Sequence, residues 1–397
     1  MRNRIVGIVA GVAVLIGSGN ALAQSGTWAT KSPLPTSRAI LGAITVDGII
    51  YAIGGSLNGG CTDTPAVEAY NPVTDTWTPR APMPTPRAYP ALGAIDGIVY
   101  AAGGDLGCDP NTNVVEAYDT GTDTWTVKAP LPFAFRSAAA GVVDGVLFVV
   151  GGYSTDTGFL SAVHAYDPGA NAWTMKAAMP AARSAHAVVV VDGILYAIGG
   201  YSDDPNLSSV EAYNPATDSW SSRAAMPTPR VALTAAIVNG IVYAIGGAAA
   251  NGVSSAAVEA YNPARDEWTT FTEMPTARAW LSAASVGRVA YALGGTPDGG
   301  ISTYALNQAF TPSMSCEAVI RLRGQVDAAN LPVGVATSLT RQLTNAAASC
   351  NRDRMQAAVG QLHAFQHEVD AQSGRAIPST TAAAFAVAAQ RIIDTAR

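Results

Sequence analysis

Short apolar runs alternate with turn-forming residues along most of the chain, and they keep a fixed rhythm. Between residues 88 and 127 four runs follow one another, at 88–95, 98–102, 114–118 and 124–127. Each is too short for a stable helix and rich in residues that suit a pleated surface, so each predicts a strand. Asp96-Gly97 joins the first two runs. Such a pair marks a two-residue hairpin, because both of its central residues must adopt positive φ. The same signal returns at Asp47-Gly48, Asp144-Gly145, Asp192-Gly193 and, as a variant, Asn239-Gly240. The unit predicted is a four-stranded antiparallel sheet.

That unit recurs six times. A glycine pair ends the second run at Gly54-Gly55, Gly103-Gly104, Gly151-Gly152, Gly199-Gly200, Gly246-Gly247 and Gly294-Gly295, with spacings of 47 to 49 residues. Tryptophan keeps the same interval at Trp28, Trp77, Trp125, Trp173, Trp220 and Trp268. The third run carries the phrase Val67-Glu68-Ala69-Tyr70, which returns at Val115, Val210 and Val258. An arginine follows each tryptophan: Arg38, Arg87, Arg136, Arg183, Arg230 and Arg278. A fixed period with four strands per copy predicts an all-β chain segment, a six-bladed β-propeller over residues 24–311. The last copy is irregular. Residues 301–304 stand in for its third strand, and no tryptophan follows them, while Trp28 precedes the first glycine pair. The strand around residues 26–30 is therefore expected to complete the sixth blade and close the ring, which removes a sheet edge.

The glycine pair after a Tyr-Ala-Ile run, the spaced Tyr and Trp and the period near 48 resemble the kelch repeat. The resemblance covers all six copies and implies the same six-bladed propeller. The WD-type repeat is shorter and carries a Trp-Asp dipeptide that this chain lacks.

After Thr311-Pro312 the rhythm changes from strand to helix. Val319, Leu322 and Val326 fall on one face, as do Leu339 and Leu343; Met355, Val359, Leu362 and Val369 make a third stripe, and Phe385, Ile392 and Ile393 a fourth. Breaks at Asn330-Leu331-Pro332, Cys350-Asn351 and 374–378 divide residues 312–397 into four helices of a small bundle. The spacing of Leu339, Leu343, Ala357, Leu362 and Phe365 together with the Gly374 break is similar to that of FIMAH domains, helical modules of secreted bacterial proteins. That resemblance implies an accessory role in attachment, for example to a cell surface, or in interaction.

The N-terminus reads as an export signal over residues 1–23. Arg2 and Arg4 precede an uncharged, mostly apolar run, and Ala21-Leu22-Ala23 forms an A-x-A cleavage site. No later segment of the sequence is long and apolar enough to span a bilayer. The expected location is periplasmic or secreted, where disulfides persist. Cys61 and Cys108 fall in corresponding loops of adjacent copies, and Cys316 and Cys350 at the two far ends of consecutive helices, so these two pairings are expected. Their spacing lacks the CxxC pattern of a metal site.

Charge narrows the partners. Residues 24–311 hold 13 basic and 23 acidic side chains, net −10, and such a surface repels a phosphate backbone, which disfavours nucleic acid. There is no GxSxG, no phosphate-binding glycine loop and no HExxH. His363 and His367 sit four residues apart on a predicted helix without a further ligand nearby. No cofactor is expected.

Strand order puts the arginines and the loops after each glycine pair on one face. Those loops differ most between copies, as functional loops on a rigid scaffold do. The arginines suit either a cationic ring at the channel mouth that binds a carboxylate through the guanidinium fork or a role in the repeat itself, bonded to neighbouring backbone at the turn between blades, and presence in every copy favours the second. Residues that differ between copies are the candidates for ligand contact: Tyr89, Ser137, Ser184, His186 and Trp280 just after the arginines, and Asp105, Tyr153 and Tyr201 at the loop starts. The aromatics among them suit either a ligand or packing between blades. Two functions compete. One is an exported interaction scaffold that holds a protein, peptide or glycan. The other is a sugar-modifying enzyme, since six-bladed kelch proteins similar to this one include periplasmic sialic acid mutarotases, and anomer exchange needs only an acid and a base near the ring.

Overall fold

The computed structural model describes residues 26–57, 61–107, 109–203, 208–249, 251–297, 302–312, 316–350 and 355–394. The export signal and Cys108 lie outside the described residues. Six four-stranded antiparallel sheets are arranged in sequence around a central channel. Five are each built within one continuous segment, at 42–80, 91–127, 139–176, 187–223 and 234–270, with a short two-stranded hairpin inserted in the first and third. The sixth takes Ser282–Val286, Val289–Leu293 and Asn307–Pro312, and its outer strand is Gly26–Thr30 from the other end of the chain. The third strand of this blade is thus Asn307–Pro312 rather than residues 301–304. Asn307-Gln308-Ala309-Phe310 is the Val-Glu-Ala-Tyr phrase changed at three of four positions, which hid it from pattern reading.

The turns behave as their composition requires. Asp47, Asp96, Asp144, Asp192 and Asn239 all adopt φ near +50°, followed by glycines at 74–80°. The second glycine of each pair sits where backbones nearly touch: a Cβ on Gly104 would lie 2.4 Å from the Ala88 carbonyl oxygen.

Neighbouring blades are joined by a repeated lock. In the second blade the Tyr118 hydroxyl donates to Asp123, Asp123 accepts from the Ala81 backbone N–H of the first blade (2.8 Å), and Trp125 Nε1 donates to the Ala81 carbonyl (2.9 Å). The same three bonds recur with Tyr70, Asp75 and Trp77, with Tyr213, Asp218 and Trp220, and with Tyr261, Asp266 and Trp268; Asn171 replaces the aspartate in the third blade. These tyrosines are buried, so the lock satisfies each hydroxyl that packing would otherwise strand. In the sixth blade Phe310 takes the tyrosine's place, and Trp28 Nε1 reaches the Thr272 carbonyl at 3.3 Å.

Four helices follow: α1 (Cys316–Ala328), α2 (Val333–Cys350), α3 (Met355–Gln372) and α4 (Ser379–Asp394). They share one core of their own, in which Val319, Leu322, Leu339, Leu343, Leu362, Phe365, Phe385 and Ile393 are buried. On α3 the buried stripe is Ala358, Leu362, Phe365 and Val369, with Val359 only half-buried. Among the described residues no helix is long and apolar enough to cross a membrane.

Candidate functional site

Five of the six arginines are wholly buried clamps. Arg87 donates to the Ala101 carbonyl (2.9 Å) and pairs with Glu116 at 2.7 Å. Arg38 pairs with Glu68, Arg183 with Glu211 and Arg230 with Glu259, at 2.8–2.9 Å, each acid being the glutamate of the repeated phrase or its equivalent. Threonines two residues before the arginine, Thr36, Thr85 and Thr228, donate to the other oxygen of the same carboxylate. In the sixth blade Gln308 replaces the acid, and burial lowers Arg278 to about 10. The clamp accounts for why the repeat keeps both residues. Sequence reading saw the arginine's structural role but missed its acidic partner.

The third blade breaks the clamp. His164 stands where four other blades have glutamate and the sixth has Gln308, and Ala134 where four of the other five have threonine. His164 meets Phe133 edge to face and stacks on Phe135, and burial pushes its pKa down. A neutral imidazole among aromatic rings offers a guanidinium no counter-charge. Arg136 accordingly turns toward the loops, where its side chain is 27% exposed against 0% for the clamped arginines. There it lies 3.3 Å from Asp105, 3.9 Å from Asp109 and 5.5 Å above the Tyr153 ring.

A cluster forms around it. Asp105 is buried, and desolvation, with Asp63 nearby adding repulsion, raises its carboxyl to about 6 despite Arg136. Asp63 accepts from the Gly107 backbone N–H at 2.7 Å, and burial raises it too. Tyr89 is held neutral by burial, close to Asp105, Arg136 and Asp63, with Ser137 near its hydroxyl. Asn111 donates to the Tyr153 carbonyl at 3.1 Å, while its own buried Oδ1 has no partner.

The cluster opens onto the channel mouth. Ile40, Tyr89, Ser137, Ala185, Ala232 and Trp280, one per blade, all adopt φ of 50–59°. Five of the six steps around this circle carry a backbone hydrogen bond of 2.8–3.0 Å, the step from Tyr89 to Ser137 being the exception. Behind the circle lies a cavity of about 190 Å³, walled by the inner strands of all six blades. Tyr89 and Trp280 meet edge to face across its mouth, with ring centroids 5.3 Å apart. On the other flank, Tyr153 touches Phe159 (5.4 Å) and Phe159 touches Tyr201 (5.2 Å), a run of rings from the third blade to the fourth.

The structure therefore brings Tyr89, Asp105, Ser137 and Tyr153 together around Arg136, with Trp280 and Tyr201 at the two ends of the patch. Ser184 is buried beneath Tyr201, to which its backbone is paired. His186 is buried in the cavity wall, where Leu41, Leu233 and Leu281 stand in other blades; neither ring nitrogen has a partner, and burial holds it neutral with a pKa of about 3. Asp63, Asp109 and Phe159 were not singled out from the sequence, and Arg136 was read with the other five arginines as part of the repeat. The signal that could have found Arg136 was His164 interrupting an otherwise regular phrase.

The raised carboxyl of Asp105 has a measurable consequence. The folded chain holds this proton more tightly than an unfolded one, so the associated stability is present at low pH and is lost as pH rises through about 6. Asp105→Asn is expected to raise the melting temperature at neutral pH and to lose that advantage below about pH 4, where the wild-type carboxyl is protonated in both states. Thermal melts of both proteins across this range check it.

Neither Cys61 nor Cys350 is a free thiol. Cys61 lies beside the second blade's loop, since a Cβ on Gly107 would be 2.9 Å from the Cys61 carbonyl oxygen.

Comparison with known sequences agrees with the blade geometry. The sequence model of the KLHDC2/KLHL20/DRC7 Kelch-repeats domain matches residues 91–295, just over half of the chain, and that of the Kelch motif matches residues 38–84. No curated protein matches the chain.

Proposed function

From the chain's membership of the kelch-repeat family, whose propellers are generally binding scaffolds, we propose that it binds its ligand on the loop face over the second to fourth blades. One observation carries this reading: Arg136 is outside the clamp that buries its five equivalents and lies partly exposed beside Asp105 and Asp109 of the loop after the second glycine pair. A residue that leaves the repeat's structural duty and keeps a charged partner is suited to a ligand. The setting is extracytoplasmic. Residues 1–23 support export, and a Cys61–Cys108 bond would staple the first two loops beside Asp63 and Asp105. Cys316–Cys350 would tie α1 to α2. The FIMAH-like helices then serve attachment to a surface. The test is a screen of proteins, peptides and glycans against the mature chain, repeated with Tyr153, Tyr201 and Trp280 changed to alanine. Binding is expected to be lost in the triple variant; undiminished binding places the site elsewhere.

A second reading, a sugar mutarotase, is favoured by Asp105, whose pKa of about 6 suits proton transfer near neutrality. Acceleration of sialic acid anomer exchange in an NMR assay would establish it. Against that substrate stand the carboxylates of Asp63, Asp105 and Asp109, which crowd the loop-facing arginine and oppose an anionic sugar.

A further inference from the structure

Resting on the loop-face reading above, we propose that the ligand is an uncharged saccharide. Its hydroxyls meet Asp105, Arg136 and Tyr89, and its ring faces meet the run Tyr153, Phe159 and Tyr201.

The charges of the cluster select against both signs. Arg136 sits among Asp105, Asp109 and Tyr153, and Asp63 stands behind Asp105. A cationic ligand meets the guanidinium, and an anionic one meets three carboxylates. A neutral polyol meets neither penalty, because each hydroxyl both donates and accepts and can bridge the carboxylate and the guanidinium side by side. Asn111 adds a buried Oδ1 without a partner in the same loop as Asp105, and the Tyr89 and Ser137 hydroxyls can act in either direction.

The main chain here is already used. Arg136 and Tyr153 exchange backbone bonds in both directions, Leu106 N–H donates to the Pro110 carbonyl, Gly107 N–H to Asp63 and Leu160 N–H to the Gly152 carbonyl. An extended peptide added as a strand needs open backbone groups, and these are already paired. Recognition therefore falls to side chains. The three rings supply the apolar part. Tyr153 and Phe159 are cross-strand partners in a two-residue ladder, and the Tyr201 backbone is paired to Ser184. Their backbones are fixed before a ligand arrives, which lowers the entropic cost of binding. Tyr201 is 43% exposed, and the centroid steps of 5.2 and 5.4 Å are comparable to the length of one pyranose unit.

The test is isothermal titration of the mature chain with cellohexaose, mannohexaose and chitohexaose as neutral probes, hexagalacturonate as the anionic probe and hexalysine as the cationic one. At least one neutral hexasaccharide is expected to bind, and Tyr201→Ala and Asp105→Asn are each expected to weaken it about 10-fold or more. Tyr201 is exposed, so its variant tests the platform without disturbing the core. Binding of a charged probe alone, or of no neutral probe, overturns the saccharide inference. If a peptide found in the broader screen binds instead and is lost in Tyr201→Ala, the loop-face reading stands while the saccharide falls. If a neutral sugar binds equally well to both variants, the loop-face placement itself falls.

Discussion

Removal of residues 24–32 is expected to lower the melting temperature of the propeller by more than about 10 °C, as measured by calorimetry or circular dichroism. The segment contains Gly26–Thr30, which pairs residue by residue with Asn307–Pro312 from Gly26↔Pro312 to Thr30↔Gln308. Without it the sixth blade loses its outer strand, and the ring acquires an open edge. Phe310, now fully buried beneath Trp28 at a centroid distance of 4.9 Å, would face water. Exposing one such aromatic costs about 1.5–3 kcal/mol, before the ladder and the inter-blade bonds are counted. Those bonds include Trp28 Nε1 to the Thr272 carbonyl, Gly26 N–H to Thr272 Oγ1 and Lys31 N–H to the Asn307 carbonyl. Trp28→Ala keeps the ladder and removes the ring, so its melting temperature should fall between the two. A truncated chain that melts with the wild type would show that the closing strand contributes nothing to the ring.

The closure was readable because Trp28 kept its place in the period while lacking a blade before it. The failure beside it is instructive. The third strand of the same blade had exchanged Val-Glu-Ala-Tyr for Asn307-Gln308-Ala309-Phe310, and residues 301–304 offered a more apolar substitute. Burial explains why the substitution works: Asn307 and Gln308 are buried but hydrogen-bonded, Gln308 to Arg278 and Asn307 to the Ser32 carbonyl. Polar residues with partners can occupy positions that hydrophobic periodicity assigns to apolar ones. The site shows the same limit in another form. Varying residues such as Tyr89 and Tyr153 stand out against a repeat. Arg136 does not, because it is invariant across the copies, and its changed role depends on a residue 28 positions later in the chain. Only the fold brings Arg136, Asp105 and Asp63 from three loops into one cluster.

That difference in role predicts opposite outcomes for the same substitution in adjacent blades. Arg87→Met should destabilise the chain by about 3–5 kcal/mol, because Glu116 is left buried without its counter-charge. Arg136→Met should cost less than about 1 kcal/mol. Its side chain is partly exposed, and Asp105, already at about 6, can take up a proton when its partner goes. Ligand binding should follow the reverse order, with Arg136→Met weakening it about 10-fold or more and Arg87→Met, in the folded fraction, leaving it near the wild-type value. His164→Glu tests the cause. The introduced carboxylate restores the acid that the other clamps use, so Arg136 is expected to fold inward and pair with it. Stability should then hold or rise while binding falls to the level of Arg136→Met. Denaturant melts paired with titrations of the three variants decide the matter. If His164→Glu binds as the wild type does, the broken clamp is not what delivers Arg136 to the ligand.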